Sequence, residues 1–411
     1  MENLKRVIIN TIDNIFSFFY FKECKVDVDN KKDVLILPPA EFGSLGDEAM
    51  IMSVIDYLQQ NYNLVSDLIS FKQKSWTVRL KENLGFNTEI VVNSKFGNPF
   101  NTIKLLKTAK QYNYFIIIGA DILDGHYSST QSSKRFLLGR ILANAGVNVV
   151  ITGASFNNNI NPFVIRELKR VPVKNFVLNI RDIGSFERVK KIYKDAVLTM
   201  DVAYLLNPLE PQNYADFLSF KQKGDYIALN INPIHYKKYG EKLIDYFLEY
   251  SNYIISETPY NIVLVPHDIR DNTFGKYSDY SLLDYIEKKI DSPSRVFFYK
   301  EIESINARFL KYVAYHAKLV ITGRMHFAIA SLSNAVPVLV MTYQGKFEGM
   351  LREIYDTPRK YILNKVPNDT NEIILRTNSI LENLEKENSL INSSKIKNKA
   401  QINFTVFKSN D

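Results

Sequence analysis

Short apolar runs recur along the chain, and nearly every one is followed by a stretch whose apolar residues fall at helical spacing. "DVLIL" (33–37) stops at Pro38-Pro39, and after "PPAEFGSLGDEAM" the residues Ile51, Val54, Ile55 and Leu58 mark one helical face. "TEIVV" near Val91, "YFIIIGA" (114–120), "VNVVITGAS", "NFVLNIRD" and "AVLTMD" predict further strands. Helices are predicted between them over "NTIKLLKTAKQY", "SSKRFLLGRILANAG" and "SFERVKKIY". The rhythm restarts at "DYIALNINP" and continues through strands "NIVLVPHD", "RVFFYK", "KLVITG" and "PVLVM". Helices "GEKLIDYFLEYS", "SLLDYIEKKI" and "SINARFLKYVAYHA" separate these.

Runs without polar alternation belong to strands buried on both faces. Strand–helix alternation requires parallel sheets covered by helices, so the fold class is α/β and doubly wound. About six such units precede residue 205 and about five follow residue 225. Between them "LLNPLEPQNYADFLSFKQKGD" carries two prolines and no clear strand, which predicts a domain junction. The expected organisation is a helical extension over 1–32, two Rossmann-like domains over 33–205 and 206–365, and a polar helix and tail over 366–411. Only the tail's last few residues read as disordered.

Composition removes several classes. With one cysteine, Cys24, neither an intramolecular disulfide nor a Cys-rich zinc site can form. The net charge of +8 suits anionic substrates, a phospholipid surface or nucleic acid, but the excess is spread as single lysines. No basic stripe interleaves with aromatics, so nucleic acid is not an expected partner. No apolar stretch reaches the roughly 18–20 residues needed to span a bilayer. Leu4, Ile8, Ile12, Ile15 and Phe19 fall at helical spacing, either as a helix packed on the body of the protein or as an interfacial membrane contact. Asp13 and Asn14 interrupt that apolar stretch, and it does not read as a signal peptide.

In open α/β sheets ligands bind off the C-terminal ends of strands, so the residues just after each strand carry the information. In "FGSLGDEAM" Gly43 and Gly46 allow a tight turn and close approach to a ligand, and Asp47 and Glu48 fall in the first helical turn. Capping and a ligand role are both open there. Asp121, Asp124 and His126 in "GADILDGHYS" lack a matching further ligand, so no metal is expected. Arg181 in "LNIRDIGS" either pairs with Asp182 or grips a carboxylate or phosphate, and Ser185 is a candidate N-cap. His267 and Asp268 stand at the mouth of "NIVLVPHD", while His126, His235 and His316 have no polar constellation around them. Arg324 and His326 open the helix after "KLVITG", where free N–H groups already favour an anion. A guanidinium there makes a phosphate or carboxylate site, and an imidazole can move a proton.

"GRMHFAIASLSNAVPVLVMTYQGKFEGML" resembles the signature of the polysaccharide pyruvyl transferase family: Arg-x-His, a helix, a Pro-led strand, then Tyr and Lys. "FGSLGDEAM" resembles that family's N-terminal Gly-Asn-x-Gly-Asp motif, with Ser44 where Asn is usual. "IRDIGS", "VPHD" and "TMDVAYLL" resemble further motifs, the last with Met200 in place of proline. "GADILDG" departs from the Gly-Gly-Gly common after that strand. The likeness spans roughly residues 33 to 350.

The resemblance implies two Rossmann-like domains facing across a cleft, as in the glycosyltransferase-B architecture, with the acceptor on the first and the donor on the second. It implies transfer of pyruvate from phosphoenolpyruvate onto two hydroxyls of a sugar as a cyclic ketal, in surface or capsular polysaccharide biosynthesis. Phosphoenolpyruvate is then a donor substrate, and no cofactor or metal is required. Carried over, Arg181, Arg324 and His326 bind phosphoenolpyruvate, with His326 as acid and Asp47 as base or sugar hydrogen-bonder. Gly43, Gly46, His267, Tyr343 and Lys346 are acceptor or loop contacts. The acceptor is expected to be a lipid-linked sugar, and the location the cytoplasm, with peripheral contact at the inner face of the plasma membrane. The rival reading is a sugar-nucleotide glycosyltransferase on the same architecture, although "PHDIRDN" makes a poor ribose site.

Overall fold

The computed structural model describes residues 31–40, 43–71, 87–91, 99–172, 174–210, 214–270, 278–301, 305–342 and 346–408. The expected N-terminal helix, Tyr343 and the last residues of the tail lie outside that set, as does the side chain of Lys346. Up to Leu198 the chain runs β1 (Lys32–Leu37), α1 (Leu45–Tyr62), β2 (Ser66–Ser70), β3 (Glu89–Val91), α2 (Pro99–Ala109) and β4 (Tyr112–Ala120). It continues with α3 (Ser129–Asn144), β5 (Asn148–Ala154), α4 (Pro162–Leu168), β6 (Phe176–Ile180), α5 (Ile183–Lys190) and β7 (Val197–Leu198). Then follow α6 (Ala215–Lys221), β8 (Tyr226–Asn230), α7 (Pro233–Tyr239), α8 (Glu241–Glu257), β9 (Asn261–Leu264), α9 (Asp279–Glu287) and β10 (Val296–Phe298). The chain ends with α10 (Ala307–His316), β11 (Leu319–Thr322), α11 (Met325–Leu332), β12 (Val338–Met341), α12 (Lys346–Leu351), β13 (Ile362–Leu363), α13 (Thr370–Leu381), α14 (Leu384–Ser393) and α15 (Ile396–Gln401).

Two parallel sheets result, ordered β3-β2-β1-β4-β5-β6-β7 and β10-β9-β8-β11-β12-β13. Both are doubly wound, with strand order reversing between β1 and β4 and between β8 and β11. β4 shows why its sequence carries no polar alternation: Phe115, Ile116, Ile117 and Ile118 are all fully buried, with helices on both faces of the sheet.

One compact unit comprises 1–42, 50–202 and 400–411, and the other 43–49 and 203–399. The chain passes from one unit to the other near residue 202, and both units are discontinuous in sequence. Residues 43–49 join the second unit because Leu45 N donates to His267 O and Ile269 N to Gly43 O, at 3.3 and 2.9 Å. The stretch 366–411 is no free helix and tail. In the second unit α13 docks on α8, where the Tyr250 and Thr377 hydroxyls pair at 3.0 Å and Thr370 Oγ1 donates to Glu249 at 2.6 Å. In the first unit Phe404 packs on Tyr57 at 4.3 Å and Phe407 on Tyr114 at 4.7 Å.

β2 and α6 show what escapes the periodicity argument. β2, "SDLIS", has no apolar run, yet all five residues are buried. Asp67 is stabilised there by Tyr112 Oη at 2.6 Å and Lys32 Nζ at 3.1 Å. The junction peptide contains α6, whose Phe217 is fully buried edge-on against Phe297 and Phe309, each at 5.4 Å. Among the described residues no helix is long and apolar enough to cross a membrane.

Candidate active site

The site is built where strand order reverses in the second sheet. Thr322, the last residue of β11, stands opposite Asn230, the last of β8, and Thr322 Oγ1 donates to Asn230 Oδ1 at 3.0 Å. The Arg324 amide donates back to Thr322 Oγ1 at 2.8 Å, which turns the chain sharply out of β11. On the β8 side Asn232 caps α7 through Ile234 N at 3.0 Å and donates to Gly323 O at 3.2 Å. Both strand mouths are thereby tied together before any charged side chain is considered.

Asp279, the first residue of α9, is fully buried and gathers the charged groups. Its Oδ2 accepts from Asn230 Nδ2 at 3.1 Å, from the amides of His267 and Asp268 at 3.1 and 3.2 Å, and from Arg324 Nε at 3.1 Å. Its Oδ1 accepts from Arg324 Nη2. The carboxylate thus satisfies two backbone donors beyond β9 that would otherwise be orphaned by burial, and holds the Arg324 fork side-on. Arg324 Nη1 lies 3.5 Å from Asp268 Oδ2, and Arg270 Nε donates to Asp268 Oδ1 at 2.9 Å. Burial pushes the Asp268 carboxyl up, but hydrogen bonds from Arg270 and the charge of Arg324 outweigh it and hold the group below its usual range. Two arginines and two aspartates therefore offset one another in charge, and Arg324 is held in one orientation at the mouth of β11.

The turn before α1 lies directly on this set. Ser44 bridges Asp268 in antiparallel fashion. Gly43, at φ +119°, leaves room for Arg270, since a Cβ there would sit 2.1 Å from Arg270 Cγ. A Cβ on Gly46 would sit 2.3 Å from His326 Nδ1. Both glycines are thus required by close approach.

The acidic pair that follows divides its work. Glu48 is buried, and its Oε1 accepts from Ala307 N at 2.8 Å, capping α10. Asp47, next in sequence after Gly46, is half-buried, and its charge contributes to holding Arg270 above its ordinary pKa, after the hydrogen bond to Asp268. His326, second residue of α11, is half-buried. His267 is buried; burial first, then the charges of Arg324 and His326, drives its pKa well below the ordinary value, so its imidazole is neutral at physiological pH. A small cavity is lined by Leu45, Ala49, Leu310 and Ala330 together with His267 and His326. The structure therefore brings Gly43, Gly46, Asp47, His267, Arg324 and His326 together.

Arg181 is placed differently. It lies in the first unit after β6, with its side chain 2% exposed. Its Nη1 donates to Asp201 at 2.6 Å, and its Nε and Nη2 donate to Ser155 Oγ at 3.2 and 2.9 Å. Neither the expected surface pair with Asp182 nor an open fork is what the structure contains. Asp182 instead caps α5, accepting from Ser185 N at 2.7 Å, so the N-cap is Asp182 and not Ser185. Asp124 is fully buried, accepting from the amides of His126 and Asn157 at 2.8 and 3.0 Å. Among the described residues no group of three His, Cys, Asp or Glu is arranged to hold a metal.

Asp279, Arg270 and Asn230 were not anticipated. Asn230 carries a signal, a polar residue at the mouth of the run "YIALN". Asp279 carries none, because it looks like an ordinary first-turn acid. His235, read as bland, lies in the site's wall at 4% exposure; burial first, then Lys238 and Arg324, lowers its pKa to about 4.

A sequence model of the polysaccharide pyruvyl transferase family matches residues 45–345. A comparison with curated proteins gave no match. Among solved structures the chain is similar to a UDP-N-acetylglucosamine 2-epimerase, with 13% identity, TM-score 0.57, and coverage of 91% of this chain and 94% of that one. It is also similar to S. aureus MnaA in complex with UDP, with 13% identity, TM-score 0.56, and coverage of 93% and 99%. A third similar structure is the Neisseria meningitidis UDP-GlcNAc 2-epimerase bound to UDP-GlcNAc, with 14% identity, TM-score 0.54, and coverage of 90% and 97%. At these identities the likeness concerns the fold, two parallel-sheet α/β domains of the glycosyltransferase-B type.

Proposed function

The chain belongs to the polysaccharide pyruvyl transferase family, and on that premise we propose that it transfers pyruvate from phosphoenolpyruvate onto two hydroxyls of a sugar as a cyclic ketal. The observation that carries this reading is Arg324, oriented by Asp279 at the mouth of β11, with His326 two residues on at the start of α11. Phosphoenolpyruvate brings a carboxylate and a phosphate. The N–H groups opening α11 and the Arg324 guanidinium that Asp279 orients are donors of a kind suited to either.

The chemistry needs one acid and one base. His326 donates a proton to the methylene carbon of phosphoenolpyruvate, leaving an electron-poor C2. One sugar hydroxyl attacks C2, and its proton passes to Asp47. The C2–O bond to phosphate then breaks, and phosphate departs with the bonding pair and the proton that the first hydroxyl gave to Asp47. A second hydroxyl attacks C2, closes the ketal and releases its proton, which balances the proton taken up at the methyl group. His267, held neutral by burial, cannot supply the acid, which favours His326 for that role. No cofactor enters this sequence of steps. We assign the acceptor to a lipid-linked saccharide at the cytoplasmic face of the membrane, in keeping with a net charge of +8.

The test is phosphate release from phosphoenolpyruvate with extracted lipid-linked saccharides, for the wild type and His326→Ala. Acceptor-dependent release that vanishes in the variant is expected. Release unchanged by the substitution removes His326 from the chemistry. No release, together with a thermal shift by a UDP-sugar and none by phosphoenolpyruvate, transfers the assignment to glycosyl transfer.

A further inference from the structure

The first sheet has its own reversal of strand order, between β1 and β4, and the loop that leaves β4 there is unusual. Ala120 ends the strand at φ +47°, a left-handed conformation that costs a non-glycine residue about 1 kcal/mol. It is held there by Ser155 N donating to Ala120 O at 2.8 Å. Asp124, fully buried, then pins the loop from inside through the amides of His126 and Asn157, while Asn161 N donates to its carbonyl at 2.9 Å. Ser132 Oγ donates to Ile122 O at 2.6 Å, and Ser128 caps α3.

This pinned loop presents the rings of His126 and Tyr127 to solvent. Tyr127 is 61% exposed. Its hydroxyl donates to Asp121 Oδ2 at 3.4 Å, and the His126 ring meets it edge-on at 5.3 Å. Among the described residues the other well-exposed tyrosines, Tyr285 and Tyr315, sit on helices α9 and α10 and not on a loop that leaves a strand, with Lys289 Nζ over the first at 4.3 Å. A flat ring with a negative face attracts the C–H face of a sugar, and a carboxylate beside it accepts from sugar hydroxyls. A ring already fixed in place loses little side-chain entropy on binding.

We propose that Tyr127, flanked by Asp121 and His126, is a stacking platform for a neutral sugar ring of the saccharide acceptor. The identity of the ligand rests on the reading of the reaction given above; the existence of the platform rests on the loop.

The experiment is saturation-transfer NMR on the full chain without phosphoenolpyruvate, using methyl β-galactoside, methyl β-glucoside, N-acetylglucosamine and UDP as separate probes. Transfer to the ring protons of at least one sugar probe is expected for the wild type and Tyr127→Phe. In Tyr127→Ala its apparent Kd should rise at least about tenfold, and Asp121→Asn should weaken it. Undiminished transfer in Tyr127→Ala, or none from any sugar probe to the wild type, overturns the proposal. So does loss in Tyr127→Ala of contacts to UDP alone, which would make the ring a nucleobase platform. Failure of phosphoenolpyruvate to raise the wild-type Tm counts against the proposed reaction and leaves the sugar result standing.

Discussion

Asp279 and Gly46 act on the two side chains proposed to meet the donor, and each makes a separable prediction. If Asp279 merely cancelled charge, Asp279→Asn would free Arg324 and tighten anion binding. Its hydrogen bonds argue for orientation instead: the same oxygen that accepts from Arg324 Nε also accepts two backbone amides. Asp279→Asn should therefore raise KM for phosphoenolpyruvate by about 10–100-fold, with a smaller change in kcat, and lower stability by about 3 kcal/mol. A fall in KM would show that Asp279 only balances charge. Gly46→Ala places a methyl group 2.3 Å from His326 Nδ1, so the imidazole must move by about 1 Å. A shift of that size at an acid should cost about 100-fold in kcat, while the thermal shift by phosphoenolpyruvate persists. Steady-state kinetics beside the thermal shift would check it. For Gly46 the sequence showed only a glycine where a turn enters a helix; its neighbour, His326, comes from far along the chain. Asp279 was not legible either, since no local pattern separates a buried five-donor carboxylate from an acid stabilising a helix start.

At the scale of elements, the first turn of α1 joins two adjacent carboxylates with opposite uses. Glu48 accepts the first amide of α10 from the buried side, whereas Asp47 lies half-buried next to the glycine that His326 covers. Glu48→Ala should leave Ala307 N without its acceptor and cost about 1–3 kcal/mol in urea denaturation, whereas Glu48→Gln keeps an acceptor oxygen and most of that stability. Asp47→Ala should change stability by less than about 0.5 kcal/mol and reduce acceptor-dependent phosphate release by about 100-fold or more. The reverse pattern would exchange their roles. Helical spacing located this turn but could not say which acid faced inward, because both lie within one turn of the same helix end. The same limit hid β2, whose Asp67 is buried only because Tyr112 and Lys32 answer it from other strands. It also hid the role of Asn403, whose side chain bonds Gly153 N and Met200 O at 3.3 and 2.8 Å across about 250 and 200 residues of chain. Apolar periodicity reports burial by hydrophobic residues; a polar residue buried by distant partners leaves no trace in it.

At the scale of the molecule, strand–helix alternation was enough to predict two doubly wound sheets, since few other arrangements cover so many two-faced strands. Membership of the units was not legible, because 43–49 and 400–411 each cross to the unit remote in sequence. One consequence of that assembly is a pH dependence. His235 and His267 both lie in the second unit, buried, with folded-state pKa values below the ordinary 6.5, about 4 for His235. Well above pH 6.5 both are neutral in either state and contribute no slope. As pH falls through that value, the unfolded chain takes up protons that the folded chain refuses, so stability is lost. Each group approaches a slope of about 1.4 kcal/mol per pH unit until its folded pKa is reached. Asp268 adds a later loss with the same sign: its depressed pKa contributes stability above about pH 3.9 that disappears as pH falls through the folded value. Urea denaturation at pH 7.5, 6.5, 5.5 and 4.8 should thus show a small loss between the first two values and a steepening decline below. His235→Gln removes one titrating group and should flatten that decline by up to about 1.4 kcal/mol per unit. An unchanged slope would mean that His235 is protonated in the folded protein, and that the wall beside Arg324 carries a positive charge instead of a neutral ring.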